Sequence, residues 1–180
     1  MMMQNDERKL AELILYISHK YANDPNYGLV KLNKALFFPD FNAYANWGKT
    51  ISGAEYQHLN EGPAVIRLPQ VLRALEDEKA LVVRSVDFFG YEQKKPVNLR
   101  KPDLIHFNGQ EIALVDAWIE RLRPMNAREI SDFSHETAAW RLTKDRETID
   151  PRYVFIAWRE PNAAEIARGR ELAAKHGLLA

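Results

Sequence analysis

Five histidines are the side chains best suited to moving a proton or holding a metal near neutral pH: His19, His58, His106, His135 and His176. A zincin-type site needs two of them one helical turn apart, so that both rings face one ion. No pair has that spacing, and none forms an HxH arrangement. No metal or other cofactor is expected from spacing, while convergence in space of His58, His135 and a carboxylate stays open. His135-Glu136 is the most suggestive acid–base dyad. Adjacent helical residues point about 100° apart, so these two do not face one another. Ser134 suits a helix N-cap, which favours a structural role for His135 at a helix start. His58, on a half-buried strand with Tyr56, reads as a hydrogen-bonded core or rim residue. A hydrolytic site on His58 and His135 stands as an enzymatic alternative.

Other routes to chemistry close quickly. There is no cysteine, so thiolate nucleophiles, disulfides and cysteine-ligated metals are excluded. No GxGxxG or GxxxxGK[ST] stretch is present to cradle a phosphate. Ser52-Gly53 and Ser131 lack the GxSxG elbow that exposes a serine nucleophile, and Ser52 reads as a turn residue.

Charge and aromatic content point towards binding. Lys plus Arg and Asp plus Glu number 25 each, for a net charge of zero. A nucleic-acid binder usually carries a basic field. Local basic groups do occur, at Lys94, Lys95, Arg100 and Lys101, and at Arg121, Arg123 and Arg128. They support a basic ribbon on nucleic acid as the second reading, or an ordinary solvated face. Phe88, Phe89 and Tyr91 lie in a stretch rich in turn residues; if exposed, they supply the rigid aromatic anchors that protein interfaces favour.

These side chains must be positioned by a mixed, mostly helical framework. Leu10, Leu13, Ile14, Ile17 and Tyr21 recur at helical spacing, predicting a helix from Asp6 to Tyr21 capped by Asn5 or Asp6. Leu29 to Asn46 is apolar on more than one face, which predicts a central buried helix, broken or kinked near Phe38 by Pro39 and closed by Gly48. A strand is expected over Ala54–Leu59, ended by Gly62-Pro63, then a helix over Pro69–Lys79. Strands over Leu81–Val86 and Pro96–Lys101, joined by Asp87–Lys95, would make a β-ribbon. Asn108 with Glu111, and Asn126 with Glu129, have capping-box spacing and open two more helices. A helical turn is expected around Trp140. Val154–Trp158 reads as a strand or buried connection, and Asn162 caps a last helix from Ala163 to His176. The fold class is α+β: one mostly helical domain with a small antiparallel sheet or ribbon, its core at about 6–158 and a C-terminal helix at about 162–176. The N-terminus has no secretory pattern, and no apolar run nears the ~20 residues that span a bilayer. A cytoplasmic, non-membrane location is expected.

The stretch Lys31–Val65 resembles the opening of the Panacea domain, the SocA-like antitoxin family. That family shows a K-L-x-K-L-L-Y-F-x-D helix, an aromatic, G-x-x-I-T/S-G, a strand tyrosine and a Gly-Pro turn. Here these are Lys31, Leu32, Lys34, Leu36, Phe37, Phe38 and Asp40, then Tyr44, Gly48, Ile51, Ser52, Gly53, Tyr56, Gly62 and Pro63. Ser134 to Trp140, SHETAAW, resembles its S-H-x-x-x-x-W element. Pro39 departs from the pattern, standing where a good helix former is usual. The resemblance implies a non-enzymatic antitoxin that binds and neutralises a toxin encoded beside it in a bacterium or phage. Some members act as adaptors that hand the toxin to a cytoplasmic protease. No catalytic residue carries over. Tyr56, His58, Phe88, Phe89, Tyr91, His135 and Trp140 are the residues expected to meet the partner.

Overall fold

The computed structural model describes residues 5–88, 90–156 and 163–175, with backbone alone for 5, 6, 88, 91 and 165. Helix α1 (Asn5–Lys20) leads through a turn to α2 (Leu29–Trp47). Two short strands, β1 (Tyr56–Gln57) and β2 (Ala64–Val65), precede α3 (Leu68–Asp77). Strands β3 (Leu81–Phe88) and β4 (Tyr91–Asn98) form an antiparallel ribbon. Helices α4 (Gly109–Leu122), α5 (Ala127–His135) and α6 (Ala138–Arg141) follow, then β5 (Thr148–Ile149), a 3-10 turn (Pro151–Phe155) and α7 (Ala163–Lys175). Strands β2, β1 and β5 make a small antiparallel sheet in that order. The class is α+β and mostly helical.

Every residue of α2 from Lys31 to Phe41 is buried, because α1, α4, α5, β2, β4 and the 3-10 turn surround it. Its all-round apolar pattern is thereby explained. The helix runs on through Pro39, so of the expected kink or break the break does not occur. A proline inside a helix costs about 3 kcal/mol. Burying a large apolar side chain recovers about 1.5–3 kcal/mol, and Leu36, Phe37, Phe38 and Phe41 are all buried around it. Packing outweighs the lost hydrogen bond. Gly48 ends the helix at φ 70°, its N–H donating to the Tyr44 carbonyl at 2.9 Å.

Both capping boxes form as the spacing requires, at Asn108 with Glu111 and at Asn126 with Glu129. The stripe of α3, Leu68, Val71, Leu72 and Leu75, is buried, as is that of α1. Four expectations are corrected. The ribbon is a hairpin, with Phe88 paired to Tyr91 and Gly90 at φ 83°, so Asp87–Phe88 and Tyr91–Lys95 are strand rather than part of a long connection. The charged run Glu92–Lys95 hid that strand, since such residues are poor strand formers. The Ala54–Leu59 strand shrinks to Tyr56–Gln57, although His58 still bonds through its backbone to Arg146 and Glu147. Ser134 lies inside α5, and Thr137 caps α6 instead. Finally, Val154 and Phe155 belong to the 3-10 turn, with Phe155 and Ile156 exposed. The expected caps by the Asn5 or Asp6 side chain, and Trp158, Asn162 and His176, lie outside the described residues.

Candidate functional site

The polar side chains of α2 hold loops, and this decides what is left for a partner. Lys31 Nζ donates to Asp24 Oδ2 at 2.7 Å and to the Arg123 and Met125 carbonyls at 2.8 Å each. One buried ammonium thus ties the α1–α2 turn to the end of α4. Lys34 Nζ donates to the Glu61 carbonyl, which Ser131 Oγ also reaches at 3.0 Å. Gly62, at φ 94°, lies against these groups; a Cβ there would stand 2.2 Å from Ser134 Oγ and 3.0 Å from Lys34 Nζ. Only glycine fits. Asp40 accepts from the Ile51 and Ser52 N–H groups at 2.8 Å each, from Tyr56 Oη at 2.7 Å and from Ser52 Oγ. Burial raises the Asp40 pKa, and the hydrogen bonds from Ser52 and Tyr56 oppose that rise. Tyr56 is 1% exposed and its hydroxyl is engaged, so it is a core residue and offers no contact surface.

Burial pushes the Lys34 pKa down to about 7, while the Glu61 charge pulls it upward. Above pH 7 the folded chain therefore releases a proton that the unfolded chain keeps until about pH 10.4. Stability rises with pH between about 7 and 9.5, by at most about 1.4 kcal/mol per pH unit. Lys34→Met flattens this slope; urea unfolding at several pH values reads it out.

The segment around Trp140 gathers the two histidines that sequence reasoning set apart. The Trp140 indole stacks on His58 with ring centroids 4.3 Å apart, and on His135 at 3.9 Å. At these spacings two imidazoles cannot share one face of the ring without overlapping, so the indole lies between them. Trp140 Nε1 donates to the Leu59 carbonyl at 3.1 Å, fixing the stack to the β1–β2 turn. His58 Nδ1 lies 3.1 Å from the Trp140 carbonyl and 3.1 Å from Thr143 Oγ1. A carbonyl only accepts, so Nδ1 carries the proton. Burial, and next the Lys34 charge, hold the His135 pKa below the ordinary imidazole value; Asp132, a backbone bond at Asn60 and Glu61 oppose this. Its Nε2 is buried with no hydrogen-bond partner.

The arrangement suits contact better than catalysis. The indole keeps the imidazoles from sharing a proton or an ion, and Glu136 is exposed beside them. Among the described residues no group of three or more His, Asp or Glu could hold a metal. His58, His135 and Trp140 are each half-buried and together form a three-ring platform, with Leu142 exposed two residues on. This platform was not legible from spacing, because His58 and Trp140 meet across the chain; the S-H-x-x-x-x-W element was the one signal. Phe89 and the side chains of Phe88 and Tyr91 lie outside the described residues.

The basic groups are largely occupied within the chain. Arg100 forms a two-pronged pair with Glu12, Lys95 Nζ donates to the Asp24 carbonyl at 2.9 Å, and Arg123 pairs with Glu120 at 2.7 Å. Arg121 covers the Trp118 and Phe133 rings. Such a pattern weakens the reading of a basic wing on phosphates. No helix among the described residues is long and apolar enough to cross a membrane.

Residues 32–141 match the family model described as Antitoxin SocA-like, Panacea domain, over more than half of the chain. No curated protein and no solved structure matches it.

Proposed function

The chain belongs to the SocA-like, Panacea-domain antitoxin family, and from that premise we propose that it neutralises a cognate toxin by direct protein–protein contact. Family membership carries the reading. The site chemistry agrees with it: the polar residues of α2 hold the fold, and the surface offers half-buried aromatic rings rather than converging reactive groups. The Trp140 platform, with His58 and His135, is the contact surface in this proposal. A rigid, partly desolvated tryptophan is the kind of anchor that dominates interface energies. In the adaptor form of the proposal, the bound toxin passes to a cytoplasmic protease.

Co-expression with the adjacent gene tests the core of the reading. The neighbour alone should arrest growth, and with this chain it should not; the two should co-purify. Leu142→Asp, at the exposed leucine that ends α6 two residues beyond Trp140, should weaken the complex at least tenfold while leaving the melting temperature within a few degrees. A harmless neighbour, or rescue without co-purification, rejects direct neutralisation. A shortened toxin lifetime in the presence of the chain supports adaptor delivery, and an unchanged lifetime rejects it.

A further inference from the structure

The Trp140 stack encloses a ring that is costly to charge where it sits. His135 lies against the indole with centroids 3.9 Å apart, and its Nε2 is buried with no hydrogen-bond partner. A protonated imidazole donates from both ring nitrogens, so an imidazolium here would hold one N–H with no acceptor. A second basic group is already close by. Lys34 Nζ, on α2, donates to the Glu61 carbonyl, and Gly62 packs against both that nitrogen and Ser134, the residue before His135. The other charged neighbours divide. Asp132 on α5 and Glu61 on the β1–β2 turn favour a proton on His135, and Lys34 disfavours it. Glu136 is exposed one residue on, Arg141 of α6 donates through Nε to the His135 carbonyl at 3.0 Å, and His58 stacks on the same indole. The indole face attracts a cation, but burial and Lys34 outweigh the favourable groups, and the net direction for His135 is down.

We propose that His135 is an acid-operated latch on the platform: once protonated, its ring leaves the indole, and the surface formed by His58, His135 and Trp140 comes apart. Outside the stack the ring donates to water from both nitrogens and stands away from Lys34. Lys34 sharpens the response. Its own charge appears as pH falls through about 7, just above the range in which a free imidazole titrates. One proton in that enclosed space then disfavours the second. The open platform binds the extra proton more readily than the closed one. It therefore gains on the closed form as pH falls below about 6.5, by up to about tenfold per pH unit, and the closed form is favoured above that. Mild acid thereby weakens the complex with the toxin.

Release rests on the toxin sitting on the platform, the reading proposed above, whereas the latch is read in the free chain. Trp140 Nε1–H, which donates to the Leu59 carbonyl at 3.1 Å, reports the closed stack by proton–nitrogen NMR. Between pH 7.5 and 5 its signal should move towards that of an exposed indole, in step with titration of the His135 ring, while circular dichroism stays constant. In His135→Phe, whose ring stacks without titrating, the signal should stay in place. Titration of His135 in the wild type with an unmoved Trp140 signal overturns the latch, whether or not the variant folds. A Trp140 change that persists in His135→Phe also overturns it. Calorimetry against the purified product of the adjacent gene then reads release. Affinity should fall roughly fivefold or more from pH 7.5 to 5.5 in the wild type, and by clearly less in His135→Phe. Equal losses in the two overturn release. Absence of any complex at either pH overturns direct toxin binding and release together, and leaves the latch to the NMR result.

Discussion

Asp40→Ala is expected to leave no folded protein in the soluble fraction. Four donors converge on that carboxylate in the core: the Ile51 and Ser52 N–H groups and the Ser52 and Tyr56 hydroxyls. Each buried donor left unsatisfied costs about 1–3 kcal/mol. Even at the lower figure the sum is about 4 kcal/mol, against a total stability of about 5–15 kcal/mol for a domain. The Lys49–Ala54 loop and β1 would also lose their tie to α2. Asp40→Asn keeps one carbonyl oxygen for the two N–H groups, and the hydroxyls can rotate to accept from its amide. It should therefore fold, with a clearly lower melting temperature. Soluble yield and thermal unfolding of both variants check the order wild type, Asn, Ala.

The second large effect is expected at Lys31. Removing its ammonium leaves the buried Asp24 carboxylate unpaired, and the Arg123 and Met125 carbonyls without their donor. Breaking one side of a buried pair costs about 3–5 kcal/mol, whereas replacing both sides by neutral groups is often nearly neutral. Lys31→Met should thus lower stability by about 3 kcal/mol or more. Adding Asp24→Asn should recover much of it, because the Asn26 N–H still finds an acceptor at residue 24, as it does now at 2.8 Å. A double-mutant cycle by urea unfolding measures that coupling. An additive pair would mean that the ammonium and carboxylate do not depend on one another.

Elements governed by local rules were legible in the sequence. Asn108 with Glu111 and Asn126 with Glu129 need only a three-residue spacing to place two helix starts. The stripes of α1 and α3 follow from period alone. Elements governed by distant partners were not. Pro39 reads as a break until the groups packed around α2 are known. The Glu92–Lys95 strand is too charged to show a β pattern, and is held by its pairing with Ser85, Arg84 and their neighbours. The candidate site divides in the same way. The lysines and aspartate of α2 look like surface chemistry in a string of letters, yet each is buried against a backbone group from elsewhere in the chain. Tyr56, expected at the interface, is consumed by Asp40. His58, His135 and Trp140 were each singled out, but their stacking depends on the β1–β2 turn lying against α5 and α6, which no spacing encodes.

Direct contact is the claim on which the account turns, and activity of the purified toxin measured against increasing amounts of the purified chain tests it with nothing else present. Activity should fall in proportion to the complex formed, reach zero at saturation, and recover when Leu142→Asp replaces the wild-type chain at the same concentration. Full toxin activity at saturating chain, in the face of rescue in cells, would contradict it.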